Sequence, residues 1–161
     1  MIYYVDGFCL GDNPSPTGGG YTIVVFDGET ALRLVCQEVI RPGMTNNEAE
    51  LLAIYHASEM AQPLDEIISD SMCALAWVRK GKCHARPDLN KYASGAQQNV
   101  LTKDLNLHYE SRYSNLAGLY NDKVIEVKNE SIIEKKKLRK NQQKRYRFKK
   151  KQASLYDCEM F

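Results

Sequence analysis

The sequence has no run of 18 or more apolar residues, so no membrane-spanning helix is expected. Its opening, MIYYVDGF, has no basic segment ahead of an apolar stretch. No secretory signal is therefore expected, and the chain reads as an intracellular protein, cytoplasmic or nuclear. The five cysteines (Cys9, Cys36, Cys73, Cys83, Cys158) are an odd number at irregular spacings, with no C-x-x-C and no Cys/His cluster at zinc-ligand spacing. That pattern argues for reduced thiols rather than a disulfide framework. The three histidines (His56, His84, His108) have no nucleophile and orienting carboxylate at a useful spacing. There is no P-loop, no dinucleotide fingerprint and no internal repeat. Triad hydrolysis and nucleotide-dependent or nicotinamide chemistry are thus unsupported.

What is present is a chain of 161 residues, 43% hydrophobic, long enough for one domain with a sizeable core. Its net charge of +2 conceals two regions of opposite sign. Residues 1–127 carry −6 and residues 128–151 carry +10, so an acidic body is followed by a basic arm. Two parts are expected, a domain over 1–127 and a basic C-terminal extension over 128–161. The segment KKKLRKNQQKRYRFKKK has no apolar stripe at helical spacing, so the extension is either a solvated or partner-induced helix or disordered.

Along the body, residues 2–8 are β-branched and aromatic and read as a strand. Residues 11–20 (GDNPSPTGGG) form a turn-rich loop. The runs 21–27 and 31–40 flank an Asp27-Gly28 turn, a hairpin signal. Thr45-Asn46-Asn47-Glu48 fits a capping box that opens a helix running to Pro63. A short strand at 65–69, a helix from Ser71 to Gly81, an irregular stretch at 82–96, a short helix around 97–103, a strand at 105–110 and a helix from about 114 follow. An antiparallel block followed by βαβ units is an α/β pattern.

Three carboxylates do not fit their elements. Asp6 sits in the middle of an apolar strand. It must there be paired, protonated or bound to a metal, unless Asp6-Gly7 simply begins a turn. Glu50 shares its helical face with Ala53, Ile54 and Ala57, and is either a solvated residue at a face boundary or part of a site. Asp70 lies between a strand and a helix, where aspartate is either an N-cap or, at the carboxyl end of a sheet strand, a ligand-facing group. If the first strand and the strand at 65–69 are adjacent and parallel, all three meet at one sheet edge. Divalent cations relieve such mutual repulsion, and Mg²⁺ prefers this kind of hard oxygen ligand.

The stretches DGFCLGDNPSPTGGGY (Asp6 to Tyr21), TNNEAEL (Thr45 to Leu51) and IISDS (Ile67 to Ser71) resemble the ribonuclease H family, type 1. The resemblance covers roughly residues 1–125 and implies a mixed five-stranded sheet, three strands antiparallel and two parallel, flanked by helices. It implies a metal-dependent endonuclease that hydrolyses the RNA strand of RNA–DNA hybrids to 5′-phosphate and 3′-hydroxyl ends. Two Mg²⁺ ions, replaceable by Mn²⁺, would be held by Asp6, Glu50 and Asp70, with Asp6 bridging. It also carries over Asn13, Thr45, Asn46 and Asn47 as contacts to phosphates, base edges and 2′-hydroxyls. A monomer is expected.

The resemblance weakens near the C-terminal end of the body. The expected fourth carboxylate falls at Leu119, and the nearest acid is Asp122, either a displaced fourth ligand or a solvated helix residue. Arg112 stands in the region where the family often has a histidine, and is either a phosphate contact or an ordinary surface arginine. The +10 arm, with Tyr146 and Phe148 among its cations, suits salt-sensitive nucleic-acid contact, or is a solvating tail. Two alternatives follow: a weakly active or inactive nucleic-acid-binding module of this fold, and a related nuclease with another nucleic-acid substrate.

Overall fold

The computed structural model describes residues 1–122. β1 (Ile2–Cys9) is the middle strand of a five-stranded sheet. Its alternation puts Tyr3 and Val5 into the main core, against the long helix that follows the hairpin. β2 (Gly19–Phe26) pairs antiparallel with β1 and is buried almost throughout, which explains its unbroken apolar run TIVVF. The hairpin turns at Asp27, whose Oδ1 accepts from the N–H groups of Glu29 (2.8 Å) and Thr30 (2.7 Å). β3 (Ala31–Val39) then returns as an exposed edge strand. On the other side β4 (Glu66–Ser69) and β5 (Asn106–Tyr109) run parallel, giving the order β3-β2-β1-β4-β5. The expected three antiparallel and two parallel strands are thus formed.

α1 (Asn46–Met60) starts at Thr45, whose side chain accepts from the Glu48 N–H at 3.3 Å. Only half of the expected capping box is made. The buried Glu48 carboxylate is paired with Arg41 and Arg86 instead of reaching back to the N-cap. An acid buried in the first turn needs cations, and two arginines outside the helix supply them. α2 (Met72–Lys80) is capped by Ser71 and ends at Gly81, in the left-handed conformation at φ 65°.

α3 (Asn90–Lys103) is longer than expected, taking in half of the stretch read as irregular. Its buried residues are Ala93 and Ala96, too small to print a clear helical period. They let α3 lie close on α1, where a Cβ on Gly95 would meet the Tyr55 ring at 2.8 Å. A further helix, α4, covers residues 116–122. The core joins Val5, Ile23 and Ile67 of the sheet to Leu51 and Ile54 of α1 and Leu75 of α2. Among the described residues no helix is long and apolar enough to cross a membrane. The expected boundary at 127 and the extension 128–161 lie outside the described residues.

α1 has no basic residue in its own last turn, and α3 provides one. Lys103 Nζ donates to the carbonyls of Ser58 (2.8 Å), Glu59 (2.9 Å) and Ala61 (2.9 Å). A cation on these orphan carbonyls offsets the negative helix end. Lys103→Met is expected to lower stability by about 1–2 kcal/mol, read as an earlier denaturation midpoint at unchanged slope.

Candidate active site

Strand register brings the three anomalous carboxylates together. β1 and β4 pair in parallel up to Val5 opposite Ser69. The next residue on each strand is an aspartate, Asp6 and Asp70, so both emerge beside each other where the pairing ends. Ser71 caps α2, accepting from the Ala74 N–H at 3.2 Å, which leaves the Asp70 carboxylate free of capping duty. Glu50 arrives from α1 because Gly7 lets the helix backbone touch β1. A Cβ at Gly7 would lie 2.2 Å from the Glu50 nitrogen, so any larger residue would push this turn of helix off the strand. The parallel β1/β4 placement expected from sequence, and the convergence of Asp6, Glu50 and Asp70, are both present.

Ligand-type oxygens of Asp6, Glu50 and Asp70 all lie within 4.8 Å of one another. Asp6 and Glu50 are buried and Asp70 is half-buried. Among the described residues none of the three is ion-paired with a lysine or arginine. Burial, with the neighbouring Asp70, pushes the Asp6 carboxyl up to about 6, against a hydrogen bond from Asn121 that holds it down. Glu50 is driven well above the usual glutamate range by burial and by the charges of Asp6 and Asp70. Burial raises Asp70 as well, opposed by its backbone hydrogen bond and by the nearby Arg112. Glu50 Oε2 and Asp70 Oδ1 are buried without a hydrogen-bond partner. Three crowded carboxylates with orphaned oxygens form a donor set suited to a hard divalent cation.

The remaining expected residues fall around this cluster. Asn13, Asn46 and Asn47 are exposed, and Thr45 is half-buried as the α1 N-cap. The Asn46 N–H donates to Asn13 Oδ1 at 3.1 Å, which ties the Gly/Pro loop to the start of α1. The same loop is fastened at Ser15, which exchanges backbone bonds with Met44 and Gly43 at 2.8 Å each. These amides therefore line the helix end one turn before Glu50. Cys9 is used as a donor to the Met44 carbonyl (3.3 Å), and burial raises its thiol. Asp122 is not part of the three-carboxylate group; it forms an ion pair with Arg112. It lies close enough to Asp70 to raise that group, while Arg112 lowers both Asp6 and Asp70. Leu119, where a fourth acid was expected, is 43% exposed.

Two asparagines at this site went unassigned in the sequence. Asn115 caps α4, its Oδ1 accepting from the N–H groups of Ala117 (3.0 Å) and Gly118 (3.3 Å), and its Nδ2 donates to the Val5 carbonyl at 2.9 Å. Asn121 Nδ2 donates to Asp6 Oδ2 at 2.6 Å, and its Oδ1 accepts from the Thr22 hydroxyl. α4 passes so close that a Cβ on Gly118 would stand 3.8 Å from Asp6 Cγ. The signal available in the sequence was spacing: Asn115, Gly118 and Asn121 recur every three residues on one helical face.

A family model described as RNase H matches residues 1–150 of the chain. The chain is 40% identical over 86 residues to a protein named Ribonuclease H from Ruegeria sp. (strain TM1040), and spans about half (50%) of that relative's length and of its own. Among solved structures it is similar to the N-terminal RNase H domain of rv2228c from Mycobacterium tuberculosis, at 25% identity and a TM-score of 0.57 over 71% of this chain and 84% of that one. It also has the fold of LC11-RNase H1, isolated from compost and solved in complex with an RNA/DNA hybrid, at 19% identity and a TM-score of 0.56 over 71% and 88% of the two chains.

Proposed function

This chain belongs to the RNase H family, and on that premise we propose that it hydrolyses the RNA strand of RNA–DNA hybrids, leaving 5′-phosphate and 3′-hydroxyl ends. The observation that carries the proposal is the group Asp6, Glu50 and Asp70, two buried and one half-buried and none ion-paired among the described residues, built where the end of a β1/β4 ladder meets α1. These residues would hold divalent cations, Mg²⁺ or Mn²⁺. Bound there, such cations supply the Lewis acidity that phosphodiester hydrolysis needs, acidifying the attacking water and neutralising charge on the leaving 3′ oxygen.

The chain's own residues have three tasks. Asp6, on the rigid central strand, gives the site a fixed reference point. Glu50 and Asp70 approach it from α1 and from the β4–α2 junction, and the orphaned oxygens Glu50 Oε2 and Asp70 Oδ1 are the ones left to ligate. Asn13, Thr45, Asn46 and Asn47 present amides and a hydroxyl at the α1 N-terminus, suited to 2′-hydroxyls and minor-groove base edges. Arg112 is exposed and would take a phosphate, which would free Asp122 from its ion pair and offer it to the site as a fourth acid. The Arg112–Asp122 pair also supports the weakly active alternative, since a chain that keeps it closed has three acids instead of four.

The test is cleavage of an end-labelled hybrid by the full chain with Mg²⁺ and with EDTA, beside duplex DNA, duplex RNA and single strands. Cleavage confined to the RNA of the hybrid and dependent on the cation is the expected result. Metal-independent binding without cleavage would favour the inactive module, and cleavage of duplex DNA a different substrate.

The +10 segment is proposed to supply non-specific phosphate attraction to an otherwise acidic protein. Truncation after Val127 is expected to weaken hybrid binding by roughly ten-fold or more at low salt and to flatten its dependence on salt. Fluorescence anisotropy at several salt concentrations checks this, and an unchanged salt slope would remove the arm from the interface.

A further inference from the structure

The buried chain from Thr22 through Asn121 to Asp6 has a chemistry that simple packing does not require. Thr22 of β2 lies directly opposite Asp6 of β1 in the antiparallel register, so both side chains leave the same face of the sheet. Asn121 of α4 closes over them. All three are nearly sealed from solvent: Thr22 is 0% exposed, Asn121 2% and Asp6 4%. The Thr22 hydroxyl donates to Asn121 Oδ1, and Asn121 Nδ2 donates to Asp6 Oδ2 at 2.6 Å.

The geometry points to Asn121, oriented by Thr22, as a positioning residue that fixes the Asp6 carboxylate for cation binding. This rests on the reading of Asp6 as a cation ligand. A carboxylate facing Asp6 would repel it, and an ammonium would compete with the cation for its charge. A neutral amide does neither. It occupies one lone pair of Oδ2, stops rotation about the Asp6 Cβ–Cγ bond, and leaves the carboxylate's charge and remaining lone pairs available. Thr22 then decides which end of the amide faces Asp6. A flipped Asn121 would set its own oxygen against the carboxylate and lose the hydroxyl's proton. Anchoring α4 to the sheet does not need this pair, because Asn115 already caps the helix and ties it to the Val5 carbonyl.

The experiment measures Mn²⁺ binding to the full chain by isothermal titration, together with hybrid cleavage, for the wild type, Asn121→Ala, Thr22→Val and Thr22→Ser. Valine matches threonine in shape, so Thr22→Val removes only the hydroxyl and keeps the test alive if Asn121→Ala fails to fold. Asn121→Ala and Thr22→Val are expected to weaken Mn²⁺ binding by about ten-fold or more. Their KM for hybrid should be unchanged, and kcat should be lost at low Mn²⁺ and restored at high Mn²⁺. Thr22→Ser, which keeps the donor, should bind like the wild type. Variants that melt earlier yet bind Mn²⁺ as the wild type does would overturn the positioning role and leave a structural one. A wild type that binds no Mn²⁺ would overturn the cation-site reading itself, and this inference with it.

Discussion

Asp6→Asn is expected to reduce hybrid cleavage by on the order of 10³-fold or more, equivalent to about 4 kcal/mol of transition-state stabilisation, while making the cation-free protein more stable. Both effects have one cause. Asp6 lies against Glu50 and Asp70 with no arginine or lysine paired to any of them among the described residues. Removing one charge relieves that repulsion and also removes the cation ligand on the central strand. The substituted amide has nearly the same shape and can still present its oxygen to Asn121, so the fold has no reason to change. Melting with EDTA present should therefore show a higher midpoint for Asp6→Asn than for the wild type. Asp122→Asn is a useful comparison, because Asp122 spends its charge on Arg112 outside the cluster. Its loss of activity should be much smaller than that of Asp6→Asn. An Asp6→Asn protein that cleaves normally would remove Asp6 from the site, and one that melts earlier would show that the carboxylates do not repel as described.

The parts of this site that could be read from the sequence were chemical misfits. A carboxylate among Tyr3, Tyr4, Val5 and Phe8, a glutamate above Ala53, Ile54 and Ala57, and an aspartate between a strand and a helix each had a local explanation open and each also suited a site. Three such misfits in a β…α…β order made a parallel pairing of the two strands a supposition worth carrying, since it would bring them together, and β1 and β4 do pair in that way. What stayed illegible depended on neighbours far away in the chain. Glu48 satisfied a local capping pattern, but its carboxylate was drawn to Arg41 and to Arg86, which is 38 residues on. Asn121 looked like an ordinary polar helix residue, and its partners Thr22 and Asp6 are 99 and 115 positions earlier. The first half of α3 was missed for a different reason. Its buried residues are Ala93 and Ala96, too small to mark an apolar stripe, and the larger Tyr92 packs only partly buried against the core and the Tyr55 ring.

The second large effect concerns pH and the cation together. Asp6 in the folded, cation-free protein titrates at about 6, whereas an unfolded aspartate titrates near 3.8. Between these values the native state holds a proton that the unfolded chain has released. Stability must therefore fall as pH rises through this window, the reverse of ordinary acid denaturation. For Asp6 alone the loss approaches about 3 kcal/mol once pH exceeds 6. Glu50 is likewise raised well above the usual glutamate range by burial and by Asp6 and Asp70, so it adds a loss of the same sign. A divalent cation binds the ionised carboxylates and competes with those protons, which opposes the trend. Melting of the full chain from pH 4.5 to 8 with EDTA should thus show a midpoint that declines toward pH 8. With millimolar Mg²⁺ the midpoint should change little near pH 5 and rise markedly near pH 8. Because the stabilisation is linked to affinity, its size at each pH reports how completely the three carboxylates have ionised. If Mg²⁺ stabilises the protein equally at pH 5 and pH 8, the cation binds somewhere other than Asp6, Glu50 and Asp70.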